Sequence, residues 1–210
     1  MANTPQENVQ RIETLEALEA HYGVPSMKGL NKELPALDKH CKRFIELSPF
    51  FLMATASGAK VDVTPRGDAP GSVQVEGDTT LLLPDWPGNR RLDSLKNILI
   101  NPSVSLIFLI PNVGETLRIL GTAEIITDEG LRARFETGLK KPLSVIRVSV
   151  ETAFLHCSKA FLRSRLWEPD CWPDRSALPS AGEMFRDHMD LDMPIRDLDA
   201  AVENFKNELY

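Results

Sequence analysis

Between Phe50 and Leu155 the chain carries about six or seven short β segments joined mostly by tight turns, and this pattern constrains the fold more than any other feature. Phe50–Ala56 reads as a buried strand, and Gly58 supplies a turn into Lys60–Thr64, which alternates as a half-buried strand does. Pro65-Arg66-Gly67-Asp68 then breaks the pattern. Ser72–Val75 and Thr79–Leu83 flank Gly77-Asp78, a hairpin signal. Val104–Ile110 is too apolar for a sheet edge, and Thr116–Ile126 is a long strand whose central Gly121 marks a bulge or a close neighbour. Ser144–Leu155 alternates again. A helix, opening at Asn89 with Leu92, Leu95, Ile98 and Leu99 facing inward, is the one interruption after the fourth strand, and Asp128–Thr137 forms a short further helix. Repeating βαβ units are absent, which argues against a doubly wound parallel sheet. A small antiparallel barrel is how so many short strands hide their edges.

Helical segments flank this centre. Ile12, Leu15, Leu18 and Tyr22 recur at helical spacing until Gly23 and Pro25 stop them, and Leu37–Leu47 forms a second helix ended by Ser48-Pro49. Ala160–Leu166 reads as a short helix or turn, and Ile195, Leu198, Val202, Phe205 and Leu209 as a terminal amphipathic helix. The expected organisation is one domain over 1–210: a barrel over about 44–170, a helical N-terminal extension over 1–43, and an acidic helical tail over 171–210.

Charge narrows the function classes. The formal net charge is −6 with a pI near 5.3, which argues against a general nucleic-acid binder. Residues 181–210 hold eight acids against three Lys/Arg, so the tail supplies −5 of that total. Apolar runs such as Val104–Ile110 fall far short of the ~20 residues of a membrane span. Three widely spaced cysteines, Cys41, Cys157 and Cys171, make neither a disulfide framework nor a zinc pattern. With no secretory signal at the N-terminus, a cytoplasmic protein with reduced thiols is expected.

Three cationic clusters sit at element ends: Thr64-Pro65-Arg66-Gly67-Asp68, Gly88-Asn89-Arg90-Arg91-Leu92-Asp93-Ser94, and Lys159, Arg163 and Arg165. The second has the clearest logic. Two arginines in the first turn of a helix oppose its dipole, a cost of a few tenths to ~1 kcal/mol that a bound phosphate reverses. The alternative pairs Arg90 and Arg91 with Asp85 and Asp93. The first cluster also reads as a turn with an Arg–Asp pair, and the third as a solvated helix face, although Lys159 and Arg163 one turn apart repel unless they share an anion. Esterase elbow, Walker and dinucleotide motifs are missing, and the four histidines have no metal spacing. No metal site is expected.

The collinear run Thr-Pro-Arg-Gly-Asp, hairpin, Leu-Leu-Leu-Pro-Asp, Gly-Asn-Arg-Arg-Leu-Asp-Ser-Leu, Asn-Pro-x-Val, Gly114–Arg118 and Ser158–Trp167 resembles the pyridoxamine 5′-phosphate oxidase-like FMN-binding split barrels, in particular a bacterial branch of FMN-dependent enzymes. The resemblance covers roughly 44–170. It implies a mainly β, six-stranded antiparallel Greek-key split barrel with flanking helices. It also implies a homodimer with FMN between the subunits. Carried onto this chain, it places Thr64, Pro65 and Arg66 along the isoalloxazine and has Asn89, Arg90 and Arg91 clamp the phosphate. Lys159, Arg163, Arg165 and Trp167 contribute from the late cluster, either within their own chain or across the interface. The implied function is a flavin-dependent oxidoreductase acting on a small molecule. The alternative is a non-catalytic flavin, haem or deazaflavin binding module of the same fold. The segment after the arginine, Gly67-Asp68-Ala69-Pro70, departs from the oxidase motif, and the acidic tail replaces the oxidase's C-terminal segment, so pyridoxine or pyridoxamine phosphate is not the expected substrate.

Overall fold

The structure is a computed structural model that describes residues 10–24, 32–138 and 140–207. It divides into two units, 1–33 and 34–210. In the first, helix α1 (Leu15–Tyr22) starts on Thr14, whose hydroxyl accepts the Ala17 N–H at 3.1 Å, and ends on Gly23 at φ 79°. Pro25, the expected stop, lies outside the described residues, as does Leu209 of the terminal helix.

The second unit is built on one antiparallel sheet of seven strands, within the six or seven read from the sequence and one more than the six that the resemblance implies. The strands are β1 (Phe50–Ser57), β2 (Lys60–Gly67), β3 (Gln74–Glu76), β4 (Thr80–Asp85), β5 (Ser103–Leu109), β6 (Thr116–Ile126) and β7 (Ser144–His156). Their order is β2-β1-β5-β6-β7-β4-β3. Apolar β5 lies between β1 and β6, as its composition demands. β6 and β7 slip register between Leu120 and Gly121, where any side chain at Gly121 would run into the Ser149 carbonyl oxygen.

Helix α2 (Lys39–Leu47) leads into β1, and α3 (Asp93–Ile100) carries the chain from β4 back to β5. Ile45 and Ile98 from these helices join Met53, Leu81, Leu83, Leu106, Phe108, Leu117, Ile119, Ile146 and Val148 in one core. A smaller cluster on the other face of β4 and β7 buries Leu82, Val145 and Phe135, with Leu131 of α4 (Glu129–Ala133) against it. Cys41 sits in the main core, where burial and then the Asp38 side chain push its thiol up to about 11 and keep it unreactive. None of the three cysteines is in a disulfide.

Beyond β7 come α5 (Lys159–Ser164) and a helical pair, α6 (Ala181–Met189) and α7 (Ile195–Asn204). The pair is joined where the Gly182 N–H donates to Asp199 Oδ1 at 2.7 Å. A Cβ at Gly182 would lie 2.6 Å from that oxygen. Among the described residues no helix is long and apolar enough to cross a membrane.

Candidate functional site

Strand β2 turns its alternation inside out. Its register with β1 pairs Val61, Val63 and Pro65 with Ala56, Ala54 and Leu52, and pairs Asp62, Thr64 and Arg66 with Thr55, Met53 and Phe51. The second set of β1 residues faces the core and is buried. The polar side chains of β2 therefore point inward, while Val61 and Val63 remain 68% and 55% exposed. A strand with its charges inside and its valines outside needs something polar on the inner side, and β2 faces a split in the barrel there.

The split exists because β3 is too short to cover β4. It pairs only with Thr80–Leu82, which leaves the Leu83–Asp85 half of β4 open toward the end of β2. Asp85 occupies the same inward parity as Leu81 and Leu83. Across the opening, Arg66 Nη1 donates to Asp85 Oδ1 at 2.5 Å, with side chains 26% and 11% exposed. Beside it the Trp86 indole N–H donates to Asp68 Oδ2 at 3.0 Å. Helix α3 closes the floor. Its buried Ser94 hydroxyl lies 3.1 Å from Thr64 Oγ1, and its buried Asn97 donates to Thr55 Oγ1 at 3.0 Å.

These contacts leave a cavity of ≈ 480 Å³ between β2, the end of β4 and the loop into α3. Thr64, Pro65, Arg66, Asn89, Arg90 and Arg91 all line it, so two of the three cationic clusters meet. Their meeting differs from expectation in one respect: α3 starts at Asp93, not Asn89. Leu92 is left-handed at φ 60° with no side-chain cap, and Arg90 is left-handed as well. The arginines thus stand on a strained loop ahead of the helix, and the first-turn positions belong to Asp93 and Ser94. Non-glycine residues held at positive φ cost about 1–3 kcal/mol each and cluster at ligand clamps. The Asn89 side chain holds the loop by accepting the Arg91 N–H at 3.0 Å, and Lys96 Nζ donates to the Arg91 carbonyl at 2.9 Å.

The ion-pairing alternative is met by halves. Arg91 Nε donates to Asp93 Oδ2 at 2.7 Å, but Asp85 is taken by Arg66, and Arg90 has no ion pair among the described residues. Arg66 reaches across the barrel opening to Asp85.

The third cluster lies elsewhere. Ser144 at the start of β7 pairs with Asp85 beside the cavity, whereas His156 at its end pairs with Thr116. At ~3.3 Å per residue the strand separates these ends by roughly 40 Å of extended chain. Lys159, Arg163, Arg165 and Trp167 follow that far end and do not line the cavity of their own chain. Trp167 is fixed there: its indole donates to the Val113 carbonyl at 2.9 Å and stacks on Phe161 at 5.5 Å. Arg165 Nε donates to Glu168 at 2.7 Å, while Lys159 and Arg163 are exposed and have no ion pair among the described residues.

Reasoning from sequence passed over Asp62, Asp85, Trp86 and Ser94 as lining residues. For Asp85 a signal was available, since an acid that continues the inward parity of Leu81 and Leu83 must find a partner. Ser94 and Asp62 meet only in the tertiary structure, at 3.4 Å.

The sequence profile of the pyridoxamine 5′-phosphate oxidase family matches residues 37–157, a span that contains all seven strands and ends before the cluster of Lys159, Arg163, Arg165 and Trp167. The chain belongs to this family. Among solved structures, HupZ of Group A Streptococcus is 23% identical, covering 58% of this chain and 95% of its own with a TM-score of 0.46. General Stress Protein 26 of Bacillus anthracis is 18% identical (55% and 93% covered, TM-score 0.42). An FAD-binding protein of Mesorhizobium loti is 16% identical (58% and 96% covered, TM-score 0.37). No curated protein matches the chain in sequence.

Proposed function

We propose that this member of the family binds FMN in the β2–β4 cleft and serves as a flavin-dependent oxidoreductase for a small molecule, working as a homodimer with each cofactor site between two protomers. The observation that carries the reading is the convergence of the inward face of β2 and the strained Asn89–Leu92 loop on one cavity. Its ≈ 480 Å³ falls within the roughly 300–1,000 Å³ of cofactor pockets.

The donor set suits a flavin phosphate. Arg90 is uncommitted among the described residues, and Arg91 keeps guanidinium N–H groups beyond the Nε it gives to Asp93. Both suit bidentate contacts to phosphate oxygens. Thr64, Pro65 and Arg66 would then run along the ring, with Arg66 held in place by Asp85. When bound, the flavin supplies hydride and electron transfer at its ring. The chain's own residues bind, orient and shield it. No group in the cleft is assigned as an acid–base catalyst.

The dimer is supported by the other face of the same sheet. Val61, Val63, Leu52, Ile107 and Leu120 share a face by register, and exposed valines on it call for a cover. Arg118 on that face has a buried Nε with no hydrogen-bond partner among the described residues. A second protomer would cover the exposed valines and bring the Lys159, Arg163, Arg165 and Trp167 of one chain toward the cleft of the other.

The test is spectral. Protein purified without added cofactor, or mixed with FMN, is expected to show flavin absorption bands and to release FMN on denaturation. A nicotinamide donor and an electron acceptor are expected to cycle it. A colourless protein that leaves FMN fluorescence unchanged on titration overturns the reading. Bound FMN that no donor reduces leaves the binding module.

A further inference from the structure

We infer that Asp85 is a positioning residue that sets the effective charge of Arg66, and thereby the balance between oxidised and reduced flavin in the cleft. The inference rests on the FMN reading above. Arg66 is the one arginine carried on an inward-facing strand position of the cavity, and it is the side chain placed to act electrostatically on the ring. A lone guanidinium there would favour the reduced, anionic cofactor, because a positive charge attracts the negative charge gained on reduction.

The guanidinium is not alone. Asp85 Oδ1 accepts from Arg66 Nη1 at 2.5 Å, and the Asp85 side chain is only 11% exposed. Water screens such a pair little, so from the ring the two charges act largely as a dipole of near-zero net charge. The pair also joins β2 to β4, strands that are not neighbours in the sheet, so Arg66 cannot swing away without opening the seam. A second bond, Trp86 to Asp68, braces the same opening. Asp85 therefore does two separable things: it fixes where Arg66 stands, and it cancels most of what Arg66 does at the ring.

The two roles separate by charge. Asp85→Asn keeps size and a hydrogen-bond acceptor but leaves the Arg66 charge uncompensated. The experiment measures the reduction potential of the bound flavin by equilibrium titration against a reference dye, together with oxidised FMN affinity and the unfolding temperature of the cofactor-free protein. In Asp85→Asn the potential is expected to move positive, with reduced FMN tightened relative to oxidised FMN by about tenfold. In the double variant Arg66→Gln with Asp85→Asn both charges go, and the potential is expected to return to the wild-type value.

An Asp85→Asn potential that is unchanged or more negative overturns the inference. If that variant does not fold, the double variant decides alone. A wild-type potential supports cancellation, and a clearly more negative one shows that Arg66 acts uncompensated and that Asp85 only ties the seam. Wild-type protein that takes up no FMN overturns the functional reading, and this inference with it. Wild-type protein that takes up FMN with a potential indifferent to these variants overturns this inference alone.

Discussion

Helix α2 starts on Asp38, whose carboxylate accepts the backbone N–H groups of His40 and Cys41 at 2.9 and 2.8 Å, whereas α3 starts on left-handed Leu92 with no side-chain cap. The two helices are nearly the same length and both send an isoleucine into the main core. Their starts differ because they serve different ends. The start of α2 satisfies its own orphan donors and lowers the free energy of the fold. The loop into α3 keeps two residues in costly backbone conformations and points arginines at a cavity. Strain concentrated at one start and absent from the other marks where folding has been subordinated to binding.

Substitutions can break this contrast, and the largest expected effect is on the ligand. Arg90→Ala with Arg91→Ala is expected to weaken FMN at least about 100-fold, since charge-assisted hydrogen bonds contribute about 1.5–3 kcal/mol each. The unfolding temperature of the cofactor-free protein should scarcely change, because both side chains are exposed. Fluorescence titration and thermal melts measure the two quantities. Loss of fold with the arginines would make the α3 loop structural, like the α2 cap.

Next in size is the late cluster. Lys159→Ala with Arg163→Ala should weaken FMN about tenfold while leaving the cleft of the same chain intact. If the site is shared, mixing this variant with the Arg90/Arg91 variant and allowing subunits to exchange restores tight binding at about one quarter of the sites, because each mixed dimer has one undamaged site. No recovery on mixing would confine the site to a single chain.

The helix caps themselves come third. Asp38→Ala should cost about 1 kcal/mol in denaturant melts at neutral pH. The Cys41 backbone N–H holds the Asp38 carboxyl below its ordinary value, so its contribution is complete above the unfolded carboxylate range and is lost as pH falls through the lower folded value. The gap between wild type and variant should therefore be full at pH 7, start to narrow near about pH 4 and close well below it. A gap that is constant down to the acid limit would remove the carboxylate from the cap.

The smallest effect sharpens the contrast from the other side. Leu92→Gly relieves the left-handed conformation of an exposed side chain, and it should raise cofactor-free stability by up to about 1 kcal/mol while loosening FMN a few-fold. A destabilised variant would mean that Leu92 contributes packing that outweighs its backbone cost.

Much of the barrel could be read in advance. The β5 interior position followed from an unbroken apolar run, the β6 bulge from a glycine inside a strand, and the β3–β4 hairpin from Gly77-Asp78. The site was legible as residue types and not as geometry. Arg66, Arg90 and Arg91 were conspicuous as cations at element ends, yet the helix boundary fell on Asp93 because a left-handed Leu92 cannot be told from a helical one by periodicity. The inward turn of Asp62, Thr64 and Arg66 was hidden, since an alternating strand reads the same whichever face is buried.

By itself, the chain's order of residues determined an antiparallel sheet, its turns and the supply of arginines and lysines, because periodicity and turn chemistry are local properties. Tertiary structure alone decided which of these meet. Asp85 reaches Arg66 only because a three-residue edge strand leaves β4 open toward β2, and the late cluster is separated from that cleft by the whole length of β7. Distances between residues far apart in sequence come from how the sheet curls, and no local pattern encodes them.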